Sequence, residues 1–347
     1  MEEGDHFAGT APDAACDGVT TPCTYNNGHV TEVNGDLKRM VATYNAIHGT
    51  SATTDFAVHS DMAPNVYIRN NPARGAAIVR TLEKVISDIA VTNPLTGNKE
   101  NLFVAMADPV EEKTLHMVTA DPDRTPTFTP FAQGDYFLNA SSSAPCTGNN
   151  LDNCVFLPAT APPANTFAWN HGGIQPEIVN VWSGWVGPGV EKKKQIEDVW
   201  SDHTDVRPTF LALLGLEDSY VSDGRVLTEF VKDRALAKSL HKHHKELEEL
   251  GQAWKAINAP LGAFAADTLT ASTGALASDT PSDATYSNTE TEIENLTNER
   301  DALASQIRAA LHDAAFNDDK LDKRQAKAWL EQADDLLARA SALAGRF

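Results

Sequence analysis

Three short segments of the sequence combine histidine with an acidic or amide side chain. Glu2 and His6 lie four residues apart at the start of the chain. Asn170 and His171 are adjacent near its middle, and His203 stands just before a leucine-rich stretch. Imidazole nitrogen and carboxylate oxygen are ligands that zinc favours in proteins. The same segments are also typical of a solvated acidic terminus, a tight turn and a helix cap, so residue types alone leave both interpretations open.

The order of these segments resembles the later half of the metal site in the alkaline phosphatase superfamily. The resemblance rests on EEGDHF near the N-terminus, on NHGG in the middle and, most specifically, on SDHTDVRPTFLALLGL. The superfamily includes phosphatases, phosphodiesterases, sulfatases and cofactor-independent phosphoglycerate mutases. The resemblance implies that Glu2, His6 and His203 bind one metal ion, and that Asn170 and His171 bind a second. Two ions about 4 Å apart can stabilise both the attacking and the leaving oxygen of a transferred phosphoryl group.

Two of the implied ligands depart from the family's pattern. Glu2 and Asn170 stand where the family usually has aspartate. A neutral amide oxygen is a weaker ligand than a carboxylate and suits hard ions better. We therefore expect the second ion to bind less tightly than the first.

The family's chain order begins with a metal-binding aspartate and a Ser or Thr nucleophile, and no residue of this sequence occupies the nucleophile's place. The resemblance therefore implies that residues 1–227 are the C-terminal part of a metal-dependent hydrolase of phosphate or sulfate esters, inactive without the nucleophile half. It implies a divalent metal, with zinc expected, and a small anionic ester as substrate. Arg124 and His59 are weaker candidates for contact with this substrate, since a guanidinium group pairs well with an anion.

Two other functions remain open. The first is a non-catalytic relative of the same fold that only binds ligands, and metal content would distinguish it from the hydrolase. The second is an interaction protein that works through its helical tail and self-associates there.

The predicted elements place the histidine segments in loops of an α/β fold. Apolar residues recur at helical spacing over 75–92, and short apolar runs or a capping aspartate indicate further elements. These are strands at Asn101–Ala107, Thr166–Trp169 and Ile178–Val186, and a helix that begins after Asp205. Alternation of strands and helices predicts an α/β sheet, and ligands gather at the loops that follow strand ends. The resemblance makes this a partial alkaline-phosphatase-like sheet flanked by helices.

The composition changes after about residue 228, where an α-helical C-terminal tail is predicted. Residues 228–265 contain an amphipathic helix, and residues 290–347 read as a helical hairpin. Residues 266–289 are rich in Ala, Ser, Thr and Asp, which is typical of a flexible linker.

Charge and cysteine content limit the partners and the compartment. Acidic residues outnumber basic ones 48 to 28, so the surface repels nucleic acid phosphates, and we expect no nucleic acid partner. No apolar run reaches the roughly 20 residues that span a bilayer, so no membrane span is expected. The four cysteines form two close pairs, Cys16/Cys23 and Cys146/Cys154. Local disulfides in a periplasmic or secreted protein and free thiols both fit these pairs, and we expect the disulfides.

Overall fold

The structure is a computed structural model, and it describes residues 6–7, 30–59, 62–157, 172–192, 196–278 and 284–347 of the chain. The contacts between residues divide the chain into two compact units. Unit 1 comprises residues 1–113, 117–182 and 272–288, and unit 2 comprises residues 114–116, 183–271 and 289–347. The part of the chain that the structure describes is mixed α/β, which confirms the predicted class.

The strands in the described residues are short, and all of these lie in unit 1. They are β1 (His6–Phe7), β2 (Val30–Thr31), β3 (Val33–Asp36), β4 (Phe56–His59), β5 (Asn65–Ile68), β6 (Ala90–Thr92), β7 (Lys99–Asn101), β8 (Phe103–Ala107), β9 (Thr129–Ala132), β10 (Tyr136–Asn139) and β11 (Val155–Phe156). They pair as one three-stranded sheet in the order β10-β3-β11 and as four two-stranded sheets. Among the described strands, only β3 and β10 pair in parallel, whereas the other pairs are antiparallel.

The helices account for most of the regular structure. They are α1 (Leu37–His48), α2 (Ala77–Ser87), α3 (Pro109–Thr114), α4 (Pro176–Val179), α5 (Val206–Leu214), α6 (Lys238–Lys242), α7 (His244–Asn258), α8 (Ala263–Ser278), α9 (Thr285–Phe316) and α10 (Lys323–Ala344). None of the helices in the described residues is both long and apolar enough to cross a membrane.

The core of unit 1 forms where α1 and α2 cover the strands. Helix α2 buries Val79, Leu82 and Ile86 at helical spacing, as the periodicity over 75–92 predicts. The predicted helix is too long, because α2 ends at Ser87 and residues 90–92 form β6 instead. Each such side chain contributes about 1.5–3 kcal/mol when it is fully buried. Asp36 caps α1 by accepting a hydrogen bond from the Arg39 amide at 3.3 Å.

Two of the cysteines are joined as expected. Cys146 and Cys154 form a disulfide beside the core of unit 1, and both are buried. Cys16 and Cys23 lie outside the described residues.

Unit 2 is helical. Helix α7 packs against α10, and Lys323 of α10 pairs with Glu246 of α7. Helices α9 and α10 run antiparallel, because Glu299 pairs with Arg339 at 2.6 Å while Glu292 pairs with Arg346 at 2.8 Å. Residues 290–347 therefore fold as two helices that lie side by side.

Two further predicted elements are corrected by the structure, whereas the strand predicted at Thr166–Trp169 lies outside the described residues. The strand predicted at Ile178–Val186 is wrong, because α4 ends at Val179 and residues 180–186 pair with no described strand. Pro176 opens a helical turn there, and Trp182 and Val186 are exposed, so no neighbouring strand covers this run. The flexible linker predicted at 266–289 is wrong over most of its described part, because residues 266–278 belong to α8 and residues 285–289 to α9. Alanine has the highest helix propensity, and buried Phe264 and Leu269 anchor the helix.

Candidate functional site

The predicted metal ligands are only partly described. Glu2, Asn170 and His171 lie outside the described residues. His6 is described through its backbone alone, as part of β1, which pairs with β2. His203 is the one predicted ligand whose side chain is described, so the structure neither assembles nor separates the predicted ligand set.

The two weaker candidates for substrate contact lie on the surface of unit 1. His59 ends β4 and is exposed. Arg124 is 80% exposed and pairs with Asp121 at 3.4 Å, three residues earlier on the same turn. The described contacts therefore assign neither side chain to a pocket.

His203 begins a short 3-10 turn that leads directly into α5. Asp202 accepts a hydrogen bond from the Thr204 amide at 2.8 Å, and its own amide donates to the Asp205 carboxylate at 3.0 Å. This reciprocal arrangement is a capping box, and it fixes the turn on both sides of His203. The imidazole is exposed, and no described residue forms a hydrogen bond with it. The turn is thus held by its backbone while the His203 side chain remains accessible.

A buried lysine from α7 contacts the same turn. Lys255 is 1% exposed, and its Nζ lies 2.8 Å from the Asp202 carboxylate and 2.9 Å from that of Asp205. It also lies 3.1 Å from the Thr204 hydroxyl. One ammonium group therefore pairs with both carboxylates that form the capping box.

A loop over residues 223–225 holds the turn from another direction. The Arg225 amide donates to the Asp205 carboxylate at 2.8 Å, and the Thr204 hydroxyl donates to the Asp223 carbonyl at 3.0 Å. The backbone of this loop passes so close that a Cβ on Gly224 would lie 1.9 Å from the Thr204 carbonyl oxygen. Glycine is required here because any larger residue would displace the turn.

A second buried ion pair involves Arg225 of the same loop. The Arg225 guanidinium forms two hydrogen bonds with the Glu229 carboxylate, at 2.6 and 3.0 Å, and both side chains are buried. Gln252 of α7 donates to Glu229 at 3.0 Å and accepts from the Trp200 amide at 2.9 Å. The segment before His203 is therefore tied to α7 as well.

The two capping carboxylates differ in their electrostatics. Burial disfavours ionisation of Asp202, but Lys255 and the hydrogen bonds from Thr204 outweigh it and lower the pKa of Asp202 below its usual range. Burial raises the pKa of the Asp205 carboxyl, and Lys255 only partly offsets this effect. Since the single ammonium serves both groups, Asp202 is the more readily ionised partner.

A groove of about 280 Å³ opens next to the turn. Its lining includes Trp185, Val190, Phe230 and Ser201. The Trp185 ring centroid lies 5.2 Å from that of Phe230. Ser201 stands two residues before His203, so their Cα atoms are at most about 7 Å apart. The groove therefore reaches the segment just before the turn, although His203 itself is not among the lining residues.

Unit 1 contains a different set of buried ionisable groups, which we term the acidic cluster: Glu83, Asp108, Glu112 and Arg80. Arg80 pairs with Glu83 at 2.9 Å and with Asp108 at 3.3 Å. Burial raises the pKa of Glu112 to about 8, partly offset by a hydrogen bond from Thr129 and reinforced by the neighbouring carboxylates. Burial also raises the pKa of Glu83, and Arg80 does not cancel this effect. Burial and the mutual repulsion of these carboxylates therefore favour the protonated forms of Glu83 and Glu112.

Sequence reasoning missed Lys255, Asp202 and the acidic cluster. Asp202 and Asp205 have the three-residue spacing of a capping box, which is a readable signal. Lys255 carried no such signal, because it lies 50 residues beyond Asp205 on a helix assigned to the tail.

Comparison with protein-family models, curated proteins and solved structures finds no match. A proposal of function therefore rests on the residues of this chain.

Proposed function

We propose that this chain supplies the later metal ligands of a metal-dependent hydrolase of phosphate or sulfate esters. In this proposal residues 1–227 are the C-terminal part of an α/β domain like that of the alkaline phosphatase superfamily. The chain order of Glu2, His6, the Asn170-His171 pair and His203 supports it. The observation that carries it is the His203 turn, a rigid capped turn that presents an accessible imidazole.

Two groups of residues would hold the two proposed metal ions. Glu2, His6 and His203 would bind one ion, and Asn170 with His171 would bind the second. A bound zinc ion supplies a Lewis acid that stabilises the negative charge of a phosphoryl or sulfuryl group during its transfer. The exposed imidazole of His203 fits this role, because no described hydrogen bond occupies its ring nitrogens. In this proposal the alcohol part of a small ester would occupy the groove lined by Trp185, Phe230 and Ser201, the last of which stands two residues before His203.

An extracytoplasmic location accompanies this proposal. The buried Cys146–Cys154 disulfide supports it, because such bonds persist in oxidising compartments.

Metal binding by the full chain tests the proposal. We expect the purified protein to bind Zn²⁺, and His203→Ala to weaken that binding at least tenfold because one imidazole ligand is lost. His48→Ala is the matched control, since His48 is an exposed histidine in the last turn of α1. Equal zinc affinity of His203→Ala and the wild type would contradict the proposal.

The reaction class needs a second assay. The zinc-loaded chain is incubated with an aryl phosphate and with an aryl sulfate, and both hydrolysis and competitive binding are measured. Because no residue of the chain occupies the nucleophile's place, we expect binding of an ester without turnover. Hydrolysis of either ester would contradict the expected inactivity of this part of the enzyme, whereas zinc content distinguishes the hydrolase from a non-catalytic relative. Preference for one ester assigns the anion that the site accepts.

A further inference from the structure

The groove of about 280 Å³ in unit 2 is lined mainly by apolar side chains. Its ten described lining residues include two aromatic residues, four aliphatic residues and two serines. The aromatic residues are Trp185 and Phe230, and the serines are Ser183 and Ser201. Pockets for small ligands typically combine such apolar walls with a few polar groups. The groove therefore has the composition of a binding site for a small organic molecule.

Backbone hydrogen bonds hold the walls of this groove in place. The Glu191 amide donates to the Phe230 carbonyl at 2.7 Å, which fixes two lining residues next to each other. Trp200 stands between two other lining residues, and its amide donates to the Gln252 side chain of α7 at 2.9 Å. A site whose walls are already ordered loses little conformational freedom when a ligand binds.

The aromatic residues of the groove already contact one another in a tilted arrangement. The Trp185 ring centroid lies 5.2 Å from those of Phe210 and Phe230, with interplanar angles of 35° and 44°. Aromatic pairs prefer such offset or edge-on contacts at centroid distances of roughly 4.5–7 Å. The Trp185 indole N–H also donates to the Ser183 hydroxyl at 3.2 Å, and the side chain stays half-buried. A further ring in the groove would meet Trp185 and Phe230 in the same kind of contact.

Size and charge limit what the groove can hold. A cavity of about 150 Å³ accommodates benzene, whereas drug-sized ligands occupy about 300–1,000 Å³. At about 280 Å³ the groove suits one ring with a small substituent. Glu191 is the single charged residue among the described lining residues, and removing an anion from water without a cation partner is costly. An uncharged ring therefore fits the groove better than an anionic one.

We infer that this groove binds a single uncharged aromatic ring, such as that of a phenol, in contact with Trp185 and Phe230. The inference goes beyond the proposed function, because a ring can bind here without a metal ion and without an ester group. Only its extension to an ester, whose alcohol part would then carry the ring, rests on the proposed function.

Phenol binding to the full chain tests the inference, with EDTA present so that no metal ion takes part. We expect the NMR signal of the Trp185 indole N–H to shift during the titration, with a Kd on the order of 1 mM for a ligand of so few atoms. The signal is identified by its loss in Trp185→Leu. Phe230→Leu should weaken phenol binding about 2- to 10-fold, because one aromatic contact is lost. Trp182→Leu is the control, since Trp182 is 89% exposed and does not line the groove.

Two further ligands test the chemical class of the occupant. Cyclohexanol has a ring of similar size that is not aromatic, and it should bind about 2- to 10-fold more weakly than phenol. Benzoate carries an aromatic ring with a negative charge, and it should also bind more weakly, because the groove offers no described cation.

A groove-filling variant guards against misfolding of Phe230→Leu. Val199→Phe keeps both aromatic walls and places an additional ring in the groove, since Val199 is a half-buried lining residue. Circular dichroism checks the fold of each variant. We expect folded Val199→Phe to lose phenol binding.

The outcomes separate this inference from the proposed function. Phenol binding that is weakened in Phe230→Leu and lost in Val199→Phe, with Trp182→Leu unchanged, supports the inference. The inference is wrong if the Trp185 signal does not respond to phenol, if cyclohexanol or benzoate binds as tightly, or if the folded variants keep the wild-type affinity. The zinc affinity of His203→Ala decides the proposed function separately. If that affinity equals the wild-type value while phenol binds in the groove, the proposed function is wrong and the ring-binding site stands.

Discussion

The His203 turn in unit 2 and the acidic cluster in unit 1 both bury carboxylates, yet they balance the charge differently. At the turn, Lys255 serves Asp202 and Asp205, and one of the two carboxylates ionises more easily than in water. In the cluster, Arg80 pairs with Glu83 and Asp108, while burial raises the pKa of Glu112 to about 8. A lysine therefore holds the carboxylates of the turn, whereas burial favours the protonated form of Glu112 in the cluster. The stability of the turn should therefore depend on its ionic partners, whereas the contribution of the cluster to stability should depend on pH.

The largest expected effect is the loss of a buried cation next to the turn. Arg225→Met removes the guanidinium that pairs with buried Glu229, and breaking a buried pair in this way costs about 3–5 kcal/mol. The free energy of unfolding is measured by urea denaturation followed through tryptophan fluorescence. Arg339→Met is the control, because it breaks an exposed pair with Glu299 that is worth about 0–1 kcal/mol. Equal losses of unfolding free energy in the two variants would show that burial does not determine how much these ion pairs contribute to stability.

The acidic cluster should make stability depend on pH. The pKa of Glu112 rises from an ordinary 4.5 to about 8 in the folded chain. Between these values the folded state holds a proton that the unfolded state has released, so stability falls as pH rises through this window. The glutamine of Glu112→Gln cannot ionise, so this variant should lose less unfolding free energy between pH 5 and 8 than the wild type does. The difference between the two losses should be about 4 kcal/mol at most, since one pKa unit corresponds to about 1.4 kcal/mol.

The control for the pH effect is an exposed glutamate. Glu331→Gln changes the same group on the surface of α10 and should leave the pH profile as in the wild type. Unfolding is followed at pH 5, 6, 7 and 8 for all three proteins. Parallel profiles for Glu112→Gln and the wild type would mean that Glu112 is ionised in the folded state.

The close approach of Gly224 to the turn predicts a smaller effect. Gly224→Ala places a methyl group 1.9 Å from the Thr204 carbonyl oxygen, and such overpacking costs about 1–3 kcal/mol. Gly187→Ala is the control, because its added Cβ would meet only Val190, at 3.9 Å. Thermal unfolding of both variants measures the difference. A wild-type midpoint for Gly224→Ala would show that the loop moves away from the turn at little cost.

A capping aspartate without a lysine partner should matter least. Asp36 caps α1 and also accepts hydrogen bonds from the amides of Ser141 and Ser142, each at 3.2 Å. Asp36→Ala should cost about 1 kcal/mol, the typical value of an N-cap. Asp121→Ala, which removes the exposed cap of a single 3-10 turn, should cost less. If Asp36→Ala lost as much unfolding free energy as Arg225→Met, the contrast between helix-capping and ion-paired carboxylates would be wrong.

Local features were predicted well because they depend on neighbours in the sequence. The apolar period over 75–92 predicted α2, the apolar run at Asn101–Ala107 predicted β8, and Asp205 marked the start of α5. The Cys146–Cys154 pair was also recognisable from its spacing. The predictions failed where burial decided the outcome: residues 180–186 have strand-like composition but no partner strand, and α8 is ordered because its apolar side chains are buried.

The sequence by itself determined the capped turn at His203 and the helix after it, since a capping box and an apolar period involve residues only three or four positions apart. It also determined the chain order of the histidine segments, on which the proposed function depends. Only the tertiary structure decided that Lys255 contacts Asp202 and Asp205, and that Glu112 is buried beside other carboxylates. These contacts join residues far apart in the chain. Their strength depends on how completely folding removes water from the charges, and no local pattern encodes that removal.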